Sequence, residues 1–178
     1  SNEELHKYML SIEFSGKQLH GLVTDILDLN RLQEGKTLIR RTAFNLHKLC
    51  ELVLKSFNQQ AQSKSNILSV KISESTPVWV SGDVGKVTQV LNNLINNALK
   101  FTKNGHVNLS VSALEKPGIV KFEIQDTGRG ISKENIGKIF DAFVQSDDQE
   151  VNVGDPGSGL GLAISKHLAE LHGGSLSV

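Results

Sequence analysis

Asn92-Asn93-Leu94-Ile95-Asn96-Asn97-Ala98-Leu99-Lys100-Phe101-Thr102 sets polar amides into a stretch whose apolar spacing is that of a helix. Asn93 and Asn97 stand four apart and Lys100 three further on, so all three project from one side. The other side, Val87, Leu91, Leu94 and Ala98 with Ile95 and Leu99 alongside, supplies a core stripe. Amide oxygens suit a hard cation such as Mg2+, and a nearby ammonium suits phosphate. Asparagine is also ordinary on a solvated helix surface, so this stretch alone leaves its role open.

Two further motifs bear on it. Val120, Phe122 and Ile124 alternate within a run from Ile119, which reads as a strand with Asp126 at its exit. There Asp126-Thr127-Gly128-Arg129-Gly130-Ile131 combines a carboxylate, able to accept a hydrogen bond from an amino group, with glycines that allow a sharp turn and close approach of a ligand. D-x-G-x-G is also an ordinary turn sequence. Gly157-Ser158-Gly159-Leu160-Gly161-Leu162 then runs directly into a helix ending near His172-Gly173-Gly174. A glycine-rich entry to a helix offers free N–H groups and a favourable dipole to an anion, or else serves as a hinge.

Order and spacing make the three together specific. They resemble the N box and the two glycine boxes of the ATP-binding domain of sensor histidine kinases, within the GHKL ATPase superfamily. Phe140-Asp141-Ala142-Phe143 resembles that family's F box. The resemblance runs from about Asn45 to Val178. Gly35-Lys36-Thr37 looks like the tail of a Walker motif, but position 30 is Asn where that motif needs Gly.

The resemblance implies a site residue by residue. Asp126 would read the adenine amino group, Asn97 and also Asn93 would hold Mg2+, and Lys100 with the Gly157, Ser158, Gly159 and Gly161 backbone would hold phosphates. Phe101 matches a position flanking purine or ribose. Gly128, Gly130 and Ile131, with Leu160 and Leu162, would wall the adenine slot, although the three aliphatic residues are equally good core. ATP-hydrolysing relatives carry a Glu four residues before the metal-binding Asn, where it activates water. Here that place is Asn93, which is no general base at neutral pH. Family lids often bring a Lys or Arg to the phosphates. Between Phe143 and Gly157 this chain has none, only Asp147, Asp148, Glu150 and Asp155.

The first thirty-odd residues follow a different pattern. Leu5, Ile12, Leu19 and Ile26 recur every seven, with Tyr8, Ser15, Leu22 and Leu29 between them, a heptad seam widened by Val23 and Leu27. Such a helix cannot bury its face alone. Leu19 to Leu29 resembles the second helix of the family's dimerisation and phosphotransfer hairpin. The first helix of that hairpin carries the phosphorylated His in a motif resembling H-E-L-R-T-P-L, and nothing here matches it. His6 and His20 are out of acceptor context.

Composition fits this reading. The chain has 178 residues, 38% hydrophobic, with 19 basic and 19 acidic side chains. Zero net charge leaves no footprint for nucleic acid. No apolar stretch approaches the ~20 residues that span a bilayer. Cys50 is the single cysteine and its neighbours suggest a buried thiol. His47, His106, His167 and His172 lack metal-ligand spacing.

The layout predicted is a helix over 1–32, a connector over 33–44 with an extended run around Leu38-Ile39-Arg40, and an ATP-binding domain over 45–178. In that domain Asn45 caps a helix to about Gln62. Strands follow near 68–72 and 78–80, the Asn-rich helix starts from Asp83, and a hairpin of 106–113 with 119–125 turns at Glu115-Lys116-Pro117-Gly118. A short helix near 133–139, a lid over 144–156, a helix over 159–171 and a strand from Ser175, cut short at Val178, complete it. The fold class expected is α+β, a two-layer sandwich of the GHKL type with a mixed sheet and helices on one face, preceded by a long helix. The function implied is transfer of the γ-phosphate of MgATP to a histidine on the hairpin. The resemblance implies a cytoplasmic setting, as the cytoplasmic part of a membrane-bound sensor that is a homodimer through its hairpin, with a response-regulator receiver domain as partner. A GHKL-type ATPase, and a receiver-docking module with a vestigial nucleotide site, are the alternatives.

Overall fold

Capping residues start the two central helices. The Asn45 side chain accepts the Lys48 N–H at 2.9 Å and the Asp83 side chain accepts the Lys86 N–H at 3.1 Å. Each satisfies one of the donors a helix start leaves open. The computed structural model describes residues 2–144 and 158–178. Its elements are α1 (Asn2–Gln33), β1 (Thr42–Asn45), α2 (Leu46–Ser63), β2 (Ile67–Ile72), β3 (Trp79–Gly82), α3 (Val84–Phe101), β4 (His106–Ala113), β5 (Val120–Asp126), α4 (Lys133–Ile136) and α5 (Gly161–Leu171).

Among the described residues the strands form two sheets, β1-β3 and β2-β4-β5. β2 runs parallel to β4, and β5 antiparallel to it with Asp126 opposite Val107, so the larger sheet is mixed. The hairpin turns through Gly118 at φ +79°, a conformation open to glycine. Helices α2 and α3 lie on this sheet. Their apolar faces, Leu46, Cys50 and Val53 from α2 and Leu91, Ile95 and Leu99 from α3, meet Val107, Leu109 and Val111 of β4 in the main core. A fold of mixed sheet and overlying helices with a long leading helix is what the sequence implied.

A second cluster joins the arm to the rest. Leu29 and Leu32 at the end of α1 pack with Leu160, Ile164 and Leu168 around α5, with Val90 and Ala142 alongside. The remainder of the heptad face is open: Leu5, Ile12 and Leu19 are 58%, 71% and 63% exposed. The heptad positions along most of α1 thus form an apolar stripe that nothing among the described residues covers.

The run at 38–40 forms no ladder, and the connector leads into β1, whose backbone pairs with β3, Thr42 opposite Gly82. One local expectation fails, the strand from Ser175. Residues 174–178 have no regular structure, because no strand among the described residues pairs with them.

Candidate functional site

Helix α3 is where the motifs meet. At its C-terminal end Thr102 is buried and extended, and its hydroxyl donates to Asp126 Oδ1 over a long 3.4 Å. The Gly128 N–H donates to the same oxygen at 2.8 Å. A Cβ on Gly128 would fall 2.5 Å from the Phe101 carbonyl oxygen, so glycine is what lets this loop lie against the last turn of α3. Gly130 turns through φ +73°. One oxygen of the Asp126 carboxylate thus fixes the loop, while Oδ2 makes no hydrogen bond among the described residues.

Phe101 stands beside this loop, 38% exposed. The Arg129 guanidinium lies 4.8 Å from its ring centroid and the Lys100 ammonium 5.7 Å. The sequence reading does not single out Arg129, whose signal is its place between two glycines. Ile131 is 45% exposed where the loop ends. Asn97 is half-buried on α3, and its carboxamide makes no hydrogen bond among the described residues.

Asn93 has a different surrounding from Asn97. Its Nδ2 donates to the Gly161 carbonyl at 2.6 Å and to Ser165 Oγ at 3.1 Å, tying α3 to α5. A Cβ on Gly161 would lie 2.5 Å from Asn93 Oδ1, so this glycine makes room for the tie. Gly159 turns through φ +69°, and its carbonyl accepts the Phe143 N–H at 3.0 Å, lacing the F-box segment to the loop. Among the described residues the Leu160 side chain provides no cap for α5, and the Ser158 hydroxyl accepts the Leu160 N–H at 3.2 Å, which leaves the N–H groups from Gly161 onward as the ones that could face an anion. Leu162 is half-buried.

Leu160 requires a correction. It is 0% exposed and packed among Leu29, Ile164 and Leu168, so it offers no surface to an adenine ring and belongs to the core. Gly157 and the expected lid at 145–156 lie outside the described residues.

Among the described residues no group of three or more His, Cys, Asp or Glu is placed to hold a metal ion. A divalent ion here would depend on few protein oxygens, with ligand phosphates and water supplying the rest, which is the manner of Mg2+ rather than of zinc. The unengaged amide of Asn97 fits such a ligand. Burial pushes the Cys50 thiol up to about 11, so it is an inert core group. No helix among the described residues is long and apolar enough to cross a membrane.

Comparison with known proteins gives the family. Residues 82–178 match the family model described as histidine kinase-, DNA gyrase B-, and HSP90-like ATPase. The chain is 38% identical over 174 residues to hybrid signal transduction histidine kinase C of Dictyostelium discoideum, covering 96% of this chain and 14% of that protein. It is 33% identical over 174 residues to sensor protein GacS of Pseudomonas syringae pv. syringae, covering 96% of this chain and 19% of that protein. It therefore spans less than a fifth of the length of either relative. Among solved structures, full-length ShkA in complex with AMPPNP superposes with a TM-score of 0.82 at 32% identity, covering 96% of this chain and 34% of that one. The chain belongs to the histidine kinase-, DNA gyrase B- and HSP90-like ATPase family, as a catalytic ATP-binding domain of the sensor histidine kinase type.

Proposed function

We propose that the chain binds MgATP along α3, between the Asp126–Ile131 loop and the start of α5, and presents the γ-phosphate to a histidine outside this chain. Asp126 accepts from the adenine amino group through Oδ2. Phe101, Ile131 and Leu162 flank purine and ribose. Asn97 is the protein ligand to Mg2+, which bridges phosphate oxygens and neutralises their charge. Lys100 and the backbone of Ser158 to Gly161 hold phosphates. The acceptor stands on a hairpin helix that pairs with the open face of α1 in a homodimer. A receiver aspartate takes the phosphoryl group next, in a cytoplasmic setting.

Phosphoryl transfer asks for positioning and charge neutralisation rather than covalent chemistry from the protein. Asn93 supplies no base for water, and its amide nitrogen is engaged with α5. This favours transfer to a partner histidine over the ATPase reading. The relative ShkA was solved with AMPPNP, which supports a nucleotide in the same fold.

The observation that carries the reading is the Asp126 carboxylate, one oxygen fixing its loop and the other without a hydrogen bond among the described residues, beside the end of α3. Its test is calorimetry with Asp126→Asn. An amide in place of the acceptor lowers MgATP affinity about tenfold or more, the order of a buried hydrogen bond to a charged group. Guanine nucleotides, which offer no amino donor at that ring position, bind weakly to both proteins. Equal MgATP affinity before and after the change removes Asp126 from the adenine pocket.

A further inference from the structure

Asp25 and Ser158 are 133 positions apart, yet the Ser158 hydroxyl donates to Asp25 Oδ2 at 2.8 Å. The same hydroxyl oxygen accepts the Leu160 N–H at 3.2 Å. The arm helix α1 therefore holds the glycine-rich loop that opens α5, through a half-buried carboxylate. One turn further along α1, Gln89 Nε2 of α3 donates to Asp28 Oδ2 at 2.8 Å, and Leu29 and Leu32 lock the root of the arm against α5. The two carboxylates differ in surroundings. Asp28 faces a cavity of about 260 Å³ lined also by Arg31, Lys36, Arg40 and Lys86, so cations surround it. Asp25 takes part in no ion pair among the described residues. Among the described residues the hydrogen bond it accepts is from the Ser158 hydroxyl.

Ser158 belongs to the same loop whose backbone N–H groups an incoming phosphate needs. A carboxylate held against this loop repels a second anion there through space. We propose that Asp25 makes the docked arm an antagonist of nucleotide binding: with α1 seated on α5, the site is held in a lower-affinity state. Nucleotide in turn weakens the seating of the arm by the same factor, because coupling between two binding equilibria is reciprocal. This rests on the nucleotide reading of the site.

The test is calorimetric titration of the wild-type chain and Asp25→Asn with MgATP and with adenosine. The amide oxygen of Asn still accepts the Ser158 proton, so the variant removes charge and keeps shape. MgATP affinity rises about threefold to tenfold at low ionic strength, the gain shrinks as salt is added, and adenosine affinity is unchanged. Equal or weaker MgATP binding by Asp25→Asn overturns the proposal while leaving the nucleotide site standing. A wild-type chain that binds no MgATP overturns the nucleotide reading and this proposal together. Amide hydrogen exchange gives a second readout: MgATP speeds exchange over residues 25–33 of the wild-type chain, and unaltered exchange there refutes the reciprocal release.

Discussion

Asn93→Ala removes the tie between α3 and α5. The side chain gives two hydrogen bonds, at 2.6 Å to the Gly161 carbonyl and at 3.1 Å to Ser165 Oγ, and Ser165 is 0% exposed. Each such bond contributes about 1 kcal/mol net, and an acceptor stranded away from water costs more, so the loss is about 2–3 kcal/mol. For a chain of this length that lowers the melting temperature by roughly 4–12 °C. Urea unfolding followed by circular dichroism measures it as a lower midpoint at unchanged slope. A double-mutant cycle with Ser165→Ala isolates the pair: in the Asn93→Ala background the second change costs far less than in the wild type, with a coupling of about 1 kcal/mol. An Asn93→Ala protein that unfolds at the wild-type urea concentration refutes the tie. The residue would then be free for the metal-binding role that its spacing from Asn97 first suggested.

Asn97→Ala should abolish the magnesium dependence of ATP affinity while the fold survives, since the side chain is half-buried and bonds to nothing among the described residues; titrations with and without magnesium check this, and unchanged dependence removes the ligand. At Asp83 burial pushes the carboxyl up, but the N–H groups of Arg40 and Lys86 and the nearby His172 ring outweigh it, leaving the group below its ordinary value. A carboxyl depressed by folding stabilises the protein above its unfolded pKa, about 3.9, and this is lost as pH falls through the lower folded value. The stability gap between wild type and Asp83→Asn should be constant at neutral pH and shrink below about pH 4; a gap independent of pH down to acid unfolding contradicts it.

Legibility in the sequence followed the range of the interactions involved. Asn45 and Asp83 announced their helices because a cap acts on a backbone donor three residues away. The 106–113 strand showed in its alternation, since one face meets the core. β1 did not show: it has four residues, the first two exposed, and exists through pairing with β3 far along the chain. Asn93 and Asn97 share a helix face, and their spacing alone gives them one role. What separates them is a contact to Gly161, 68 positions away, which no local period encodes. Leu160 and Leu162 likewise stood as a pair in sequence, but two steps around a helix start turn one toward the arm and leave the other half-buried. The carboxylate and glycines of the 126–130 loop were legible because their chemistry is local: one oxygen for the Gly128 N–H, and no side chain where the loop meets α3.

The most direct measurement incubates the chain with γ-labelled MgATP, alone and with the first hairpin helix supplied in trans or fused ahead of α1. With no base at Asn93 and no acceptor histidine in context, the chain alone should release no ADP in steady turnover and take up no label. With the hairpin helix present, acid-labile label should appear on that helix's histidine. Steady hydrolysis by the chain alone, or label on its own His6 or His20, would contradict a domain built to hand the γ-phosphate to a partner histidine.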